Sequence, residues 1–130
     1  MAYTSNYVEV LADTGEYEVE IINADVRSTT NGKQFLNIAF KIPSLNLVVY
    51  DSIWRDYMFP NEFNHKRVAS LLEALKIEGE LDDDFALIQA IKGKKLIISV
   101  TKEYNDKRQK EENSVKEYKQ ILVTDNDLPF

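Results

Sequence analysis

The last six residues of the chain combine groups that can dock into another protein. Asp125 and Asp127 precede Leu128 and Pro129, and Phe130 carries both an aromatic ring and a terminal carboxylate. Such a ring fills an apolar pocket, its carboxylate pairs with an Arg or Lys, and the aspartates lie along a basic rim. Chain ends are usually disordered, so the bland alternative is an unstructured acidic end. The pattern favours a partner-docking tip.

The start of the second predicted strand offers side chains that suit single-stranded nucleic acid. Unpaired strands are bound by aromatic faces that stack on bases and by cations that meet phosphates. Phe35 alternates with the inward Leu36, so its ring points outward. Lys33 of the preceding turn and Arg27 of the paired strand lie beside it, and Lys41 shares its outward side. We predict a stacking platform at Phe35, with the cover of a loop or a dimer contact as the structural alternative.

A second aromatic cluster stands at the exit of the third predicted strand. It consists of Trp54, Tyr57 and Phe59, with Arg55 between the first two. Aromatic residues that precede a helix also close the bottom of a barrel, so a structural role stays open for each of them. Trp54 is the member we predict to contact nucleic acid.

The connection between the last two predicted strands supplies the best basic candidate. It is flanked by Lys102 and Tyr104 and carries three cations, although two glutamates dilute them. In small barrels that bind oligonucleotides, this connection and the one between the first two strands hold the ligand. The predicted phosphate contacts of this loop are Lys107, Arg108 and Lys110.

The chain offers little for catalysis. It has no cysteine and one histidine, His65, with no nucleophile motif near it. The acidic run 82–84 suggests a metal site at first sight, but carboxylates at a helix start cap free N–H groups and suit the helix dipole. We predict a protein that is not an enzyme, with no catalytic residue, no metal and no cofactor.

The net charge of −6 is unusual for a DNA-binding protein, but the charges are segregated along the chain. Five carboxylates fall within 78–84 and two within the tip, and the remainder sums to +1. The stretch 92–120 holds nine Lys and Arg against five Asp and Glu. Such segregation allows a basic face on an acidic protein.

The first half of the chain has the periodicity of β-strands. Alternation from Gly15 predicts a long first strand, and a phase slip at Ile21-Ile22 predicts a β-bulge, after which Ile22 and Ala24 align inward. The sequence Thr-Asn-Gly-Lys at 30–33 predicts a tight hairpin turn, because Asn-Gly tolerates positive φ angles.

Further strands follow on both sides of a helical insertion. The second strand buries Leu36, Ile38, Phe40 and Ile42, and the third covers 47–54. The last two strands are predicted over 94–104, with Leu96, Ile98 and Val100 inward, and over 115–123, with a charged loop over 105–114 between them.

Two helices are predicted between the third and fourth strands. The first begins near Asn61 or Asn64 and ends at Gly79. The second starts at the acidic run, buries Phe85 and Ile88, and stops before the next glycine.

Strand order and length together predict one mainly β domain. Five strands with a helical insertion after the third is the layout of the OB-fold, a small Greek-key barrel that binds oligonucleotides. A five-stranded barrel of another topology gives a similar pattern. We predict an N-terminal arm over 1–14, an OB-fold-like nucleic-acid-binding domain over 15–123, and the docking tip over 124–130.

The assembled motifs resemble a family of small phage-encoded single-stranded DNA-binding proteins (SSBs). The resemblance rests on the tip and on short motifs in order between Gly15 and Val123, among them Thr30-x-Gly32, Ile53-Trp54 and Tyr104-Asn105-x-Lys107. Bacterial and phage SSBs end in a similar acidic tip that finishes in Pro-Phe. Here no long linker separates the tip from the last predicted strand, so its reach is short.

The resemblance implies a protein that coats single-stranded DNA in phage replication or recombination. Its tip would recruit replication, recombination and repair proteins. The sequence does not fix the oligomeric state, and a homodimer or a higher homo-oligomer are both compatible with it. The expected compartment is the cytoplasm of an infected bacterial cell, because no apolar run is long enough for a membrane span. The alternative is an OB-like protein-interaction module that uses the tip to block a host enzyme without binding DNA.

Overall fold

A computed structural model describes residues 10–56 and 62–122. These residues form a mainly β structure, and the predicted order of five strands around two helices is confirmed. Within the described ranges, no helix is long and apolar enough to cross a lipid bilayer. The elements are β1 (Gly15–Ser28), β2 (Gln34–Ile42), β3 (Leu47–Trp54), α1 (His65–Ala74), α2 (Asp84–Ile91), β4 (Lys95–Asn105) and β5 (Lys110–Lys119).

The five strands form one antiparallel sheet in the order β3-β2-β1-β4-β5. β1 is shared between two partners, because its first part pairs with β4 and its second part with β2. The β1–β2 register shifts between Ile21 and Asn23, which confirms the predicted bulge. The predicted hairpin turn is also confirmed: Gly32 has φ 81°, and Thr29 N–H donates to Lys33 O at 2.8 Å.

One face of the sheet forms a buried core together with residues of the two helices. The inward residues of β2 and β4 are those that alternation predicted, and Leu36, Ile38 and Ile98 are fully buried. Leu71 of α1 and Ile91 of α2 join them in the same core. This core fixes which face of each strand remains for function, because successive side chains of a strand point to opposite faces.

Side chains connect the two edge strands, β3 and β5. The Tyr118 hydroxyl of β5 donates to the Asp51 carboxylate of β3, and Arg67 of α1 pairs with the same carboxylate. Arg67 also donates to the Tyr118 hydroxyl at 2.9 Å. Burial and the adjacent Asp51 raise the pKa of Tyr118, so its hydroxyl stays protonated and able to donate. We call Asp51, Arg67 and Tyr118 the latch.

In the part of the chain that the structure describes, no backbone ladder joins β3 to β5. The sheet is therefore open as far as backbone pairing goes, and a closed barrel stays a prediction. The predicted arm ends against this sheet, because Ala12 is buried and exchanges two hydrogen bonds with Asn113, at 3.0 and 2.8 Å.

Two predictions about β1 and α1 were wrong. Ile22 is 47% exposed, because a bulge sets two residues against one and Ile21 takes the inward position. α1 ends at Ala74 rather than near Gly79. Lys76 adopts φ 58°, and the hydrogen bonds of a Schellman motif close the helix there: Lys76 N–H donates to Glu73 O and Ile77 N–H donates to Leu72 O.

Two further predictions failed in the second half of the chain. Phe85 is 70% exposed, because α2 turns Leu87 and Ile91 toward the core, with Ile88 half-buried. The charged loop is shorter than predicted, since β5 already begins at Lys110. The hairpin of β4 and β5 extends beyond the core there, so hydrophobic alternation does not reveal its strands.

Candidate nucleic-acid interface

The outward face of β1, β2 and β3 gathers three of the predicted site residues. Phe35 pairs directly with Arg27 on one side and with Trp54 on the other. The rings of Phe35 and Trp54 lie 4.8 Å apart between centroids with an interplanar angle of 42°. Trp54 is 46% exposed and Phe35 is half-buried beneath it. We call Phe35 and Trp54 the aromatic pair, a surface on which a base can stack.

A third aromatic residue on this face escaped the sequence analysis. Tyr50 lies on β3 four residues before Trp54, so both side chains point outward, and it is 59% exposed. The two rings are separated by about 13 Å along the strand at the usual rise per residue. The sequence could have revealed Tyr50, because residues an even number of positions apart on a strand share a face, and Trp54 was already assigned to the outward face.

The two cations near the aromatic pair differ in whether a carboxylate already pairs with them. Arg27 forms a salt bridge of 3.0 Å with Asp25, which lies two residues away on the same outward side. Lys33 is exposed in the turn between β1 and β2. No salt bridge engages Lys33 among the described residues. Lys33 is therefore the cation best placed to meet a phosphate beside the aromatic pair.

A groove separates β3 from the β4–β5 hairpin. Its volume is about 260 Å³, with Val48 and Tyr50 on one side and Arg108, Lys110 and Glu112 on the other. Glu112 holds Arg108 in a salt bridge of 3.0 Å. Partial desolvation raises the pKa of Glu112, but hydrogen bonds from Asn105 and Arg108 outweigh it and keep the pKa below its usual value. The carboxylate is thus charged near neutral pH and competes with any phosphate for Arg108.

The structure separates the remaining predicted residues from this surface. Lys102 lies 3.8 Å from a carboxylate oxygen of Asp13 and 3.7 Å from one of Glu111. Tyr104 pairs with Glu111, whereas the groove residue Lys110 pairs with the next residue of β4. Tyr104 and Lys110 therefore lie on opposite faces of the hairpin.

Two more predicted cations lie apart from the aromatic pair. Lys41 shares the outward face of β2 with Phe35, but six residues separate them, or about 20 Å along a strand. Its ammonium donates to Asn46 at 2.6 Å. Lys107 is exposed in the β4–β5 turn, where its N–H donates to Asn105 Oδ1 at 3.0 Å, and it does not line the groove.

The family of the chain is established by sequence comparison. The family described as "Protein of unknown function (DUF669)" matches residues 4–129, nearly the whole chain. The chain belongs to the DUF669 family. A search of curated proteins found no match.

The predicted docking residues of this DUF669 chain lie outside the described residues. They are Asp125, Asp127, Leu128, Pro129 and Phe130. Tyr57 and Phe59, which were grouped with Trp54 in the sequence, also lie outside them. The tip therefore stays a prediction from sequence.

The acidic run has the capping role that its position indicated. Asp83 is the N-cap of α2, and its carboxylate accepts from Ala86 N–H at 2.8 Å. Asp84 pairs at 2.8 Å with Arg55, the residue that follows β3, and so connects the helix to the end of that strand. Over 10–56 and 62–122 of the DUF669 chain, no group of three or more potential ligands is arranged to hold a metal ion.

Proposed function

We propose that the protein binds single-stranded DNA with little sequence preference and acts by binding rather than by catalysis. The exposed aromatic pair beside Lys33 is the observation that carries the proposal. Stacking on a ring tolerates every base, because each base has a π-face, and a neighbouring cation neutralises the phosphate.

The strand pairings support an OB-type architecture for this function. The pairs β1–β2, β2–β3, β1–β4 and β4–β5 are those of the OB-fold, which is a partly open barrel. The latch stands where β3 and β5 would pair. OB-folds bind oligonucleotides on the face of strands 2 and 3, between the loops that follow strands 1 and 4. In this proposal the aromatic pair corresponds to the face of strands 2 and 3, the Lys33 turn to the first loop, and the groove to the side of the second loop.

The proposed path of the strand runs over β3. One base stacks on Trp54, with Lys33 and Arg27 near its phosphate, and a further base lies on Tyr50. Arg108 and Lys110 then face the backbone from across the groove. Because Glu112 holds Arg108, the other three cations give about three phosphate contacts, and the logarithm of the binding constant then falls with the logarithm of the salt concentration with a slope of about −2 for a single strand.

Fluorescence anisotropy tests the proposal directly. A labelled dT oligonucleotide is titrated with the full chain, next to a duplex of equal length, at several salt concentrations. We expect the single strand to bind more tightly than the duplex, with affinity that falls as salt rises. No detectable binding at low salt contradicts the proposal.

The recruitment role is proposed from the sequence alone. In this proposal the protein coats DNA during phage replication or recombination in the host cytoplasm, and residues 125–130 capture partner enzymes. Removal of Leu128, Pro129 and Phe130 is expected to abolish partner capture and leave DNA binding intact or stronger. Unchanged capture by the truncated chain rejects the docking role.

A second candidate is a protein-interaction module that binds no nucleic acid. The net charge of −6 and the salt bridges of Lys102 and Arg108 favour it, because they reduce the attraction to phosphates. The anisotropy titration separates the two candidates: a folded chain that ignores DNA at low salt but still captures a partner through its tip supports the module.

A further inference from the structure

A recess lies on the helical side of the molecule. It opens between α1 and α2, and its volume is about 210 Å³. The floor is apolar and consists of Phe63, Val68, Leu72, Leu81 and Leu87. We call this recess, with the carboxylates around it, the acidic groove. An apolar floor with a charged rim is typical of a surface that receives another protein.

The rim of the acidic groove carries a concentrated negative charge. Asp82, Asp83 and Asp84 line it, and Glu80 precedes them in a segment, 77–91, that contains no Lys or Arg. Asp83 caps α2 and Asp84 pairs with Arg55, whereas Glu80 and Asp82 have no salt bridge among the described residues. The rim therefore favours a cationic occupant.

The other end of α2 has the complementary chemistry. The turn after the helix carries Lys92 and Lys94, both exposed and neither engaged in a salt bridge within the described ranges. Gly93 N–H donates to Ile21 O at 2.7 Å, and Ile21 N–H donates to Lys94 O at 2.9 Å. This fixes the turn beside Ile22, the apolar residue that the bulge turns out to solvent. We call Ile22, Lys92 and Lys94 the basic knob.

We propose that the acidic groove of one copy of this chain receives the basic knob of a second copy. The two surfaces are complementary in charge and in apolar character, since the lysines of the knob meet Glu80 and Asp82 of the groove while Ile22 reaches the apolar floor. The knob cannot enter the groove of its own molecule, because the two surfaces lie at opposite ends of α2, whose eight residues hold them about 12 Å apart.

The contact joins two different surfaces, so it is heterologous and repeats from copy to copy. It builds a ring if the rotation closes and an open filament if it does not. The second copy is preferred over a generic basic partner because this chain itself presents cations and an exposed apolar residue together. The contact is a property of the protein alone and does not depend on DNA binding.

Sedimentation velocity of the full chain without DNA tests the proposal. At an ionic strength of about 0.01 M the Debye length is about 30 Å, and we expect self-association that grows with concentration and weakens as salt is added. Two variants reverse one surface each: Glu80→Lys with Asp82→Lys on the groove, and Lys92→Glu with Lys94→Glu on the knob. Each alone should weaken association roughly tenfold or more, because repulsion replaces attraction.

A mixture of the two variants gives the sharpest result. In the first variant the introduced lysines face the lysines of the knob, and in the second the introduced glutamates face the acidic groove, so neither associates with itself. Mixed in equal amounts, the introduced lysines of one variant meet the introduced glutamates of the other, and association is expected to return. Ile22→Ser keeps all charges and should still weaken association, because it removes the apolar contact.

The matched control for the groove variant is Glu111→Lys with Glu117→Lys, which raises the net charge by the same amount on β5 and should not act through the groove. Circular dichroism confirms that each variant is folded. A wild-type chain that stays monomeric at low ionic strength overturns the proposal. So does a mixture that fails to associate while the wild type does, or a monomer whose groove binds a lysine-rich peptide instead.

Discussion

The aromatic pair and the β4–β5 hairpin were both predicted to contact nucleic acid, and their side chains behave differently in the folded protein. Trp54 stays accessible over Phe35, and Lys33 beside them has no salt bridge in the described part of the chain. On the hairpin, Lys102 and Arg108 already pair with carboxylates.

The contrast shows how an acidic chain treats its cations. A lysine or arginine among many carboxylates finds an internal partner, and that partner competes with phosphate. An outward aromatic ring has no such competitor. Stacking at the aromatic pair is therefore expected to supply more of the affinity than the basic hairpin.

The latch connects the two regions, and its loss should have the largest effect. Arg67→Ala leaves Asp51 without its cation, which costs roughly 3–5 kcal/mol for fully buried pairs. Because Arg67 is about one-third exposed, with a side-chain exposure of 32%, we expect a loss of about 2–3 kcal/mol in unfolding free energy, measured by urea denaturation. Arg67→Met combined with Asp51→Asn removes both charges and should recover part of the loss. A variant as stable as the wild type contradicts the role of the latch.

Removal of one ring should have the next largest effect, this time on binding. Trp54→Ala is expected to weaken dT binding by about 1–3 kcal/mol, or roughly 5- to 150-fold, since a base loses its stacking partner. Trp54→Phe retains a ring and serves as the matched control. Tyr104→Ala removes a ring of similar exposure, 60%, from the other face of the hairpin and should change affinity by less than about twofold. Equal losses from Trp54→Ala and Tyr104→Ala contradict the ranking.

A neutralised carboxylate should strengthen the hairpin's contribution. Glu112→Gln removes the partner of Arg108, so we expect dT binding to tighten about two- to fivefold at low salt. The salt slope should also steepen by about 0.7, as for one added phosphate contact. Glu117→Gln makes the same charge change on β5 outside the groove and should have little effect. Weaker binding by Glu112→Gln indicates that this carboxylate positions the hairpin instead.

A fall in pH should affect the β4–β5 hairpin before it affects β2, and this is the smallest of the expected effects. A hydrogen bond from Thr101 and then one from Lys116 lower the pKa of Glu103 below its usual 4.5, and the pKa of Glu112 is lowered as well. A lowered folded-state pKa contributes stability that is present above 4.5 and lost as pH falls through the folded value. Amide chemical shifts of the hairpin around Glu103 and Glu112 should therefore change below pH 4.5, before global unfolding. Hairpin shifts that change only together with those of the buried β2 residues Leu36 and Phe40 count against the separation.

Much of the fold was predictable because local patterns agree with the tertiary structure. Strict alternation in β2 and β4 identified their inward residues, and Asn-Gly identified the first hairpin. The failures share a cause, since the hairpin beyond the core and the end of α1 depend on contacts that alternation does not encode.

The candidate site was predictable in part. Phe35 and Trp54 were selected in separate clusters, and only the β2–β3 register brings their rings to 4.8 Å. Lys102 looked equivalent to Lys33 in the sequence, but its partners come from β5 and from the segment before β1. Pairing between distant residues decides which cations remain accessible.

Local periodicity and turn chemistry are enough to predict the order of strands and helices, the bulge and the buried face. The folded structure alone sets which strand edges approach, which outward rings meet and which charges neutralise one another. Such contacts join residues far apart in the chain, so their geometry depends on strand register and helix docking rather than on any local pattern.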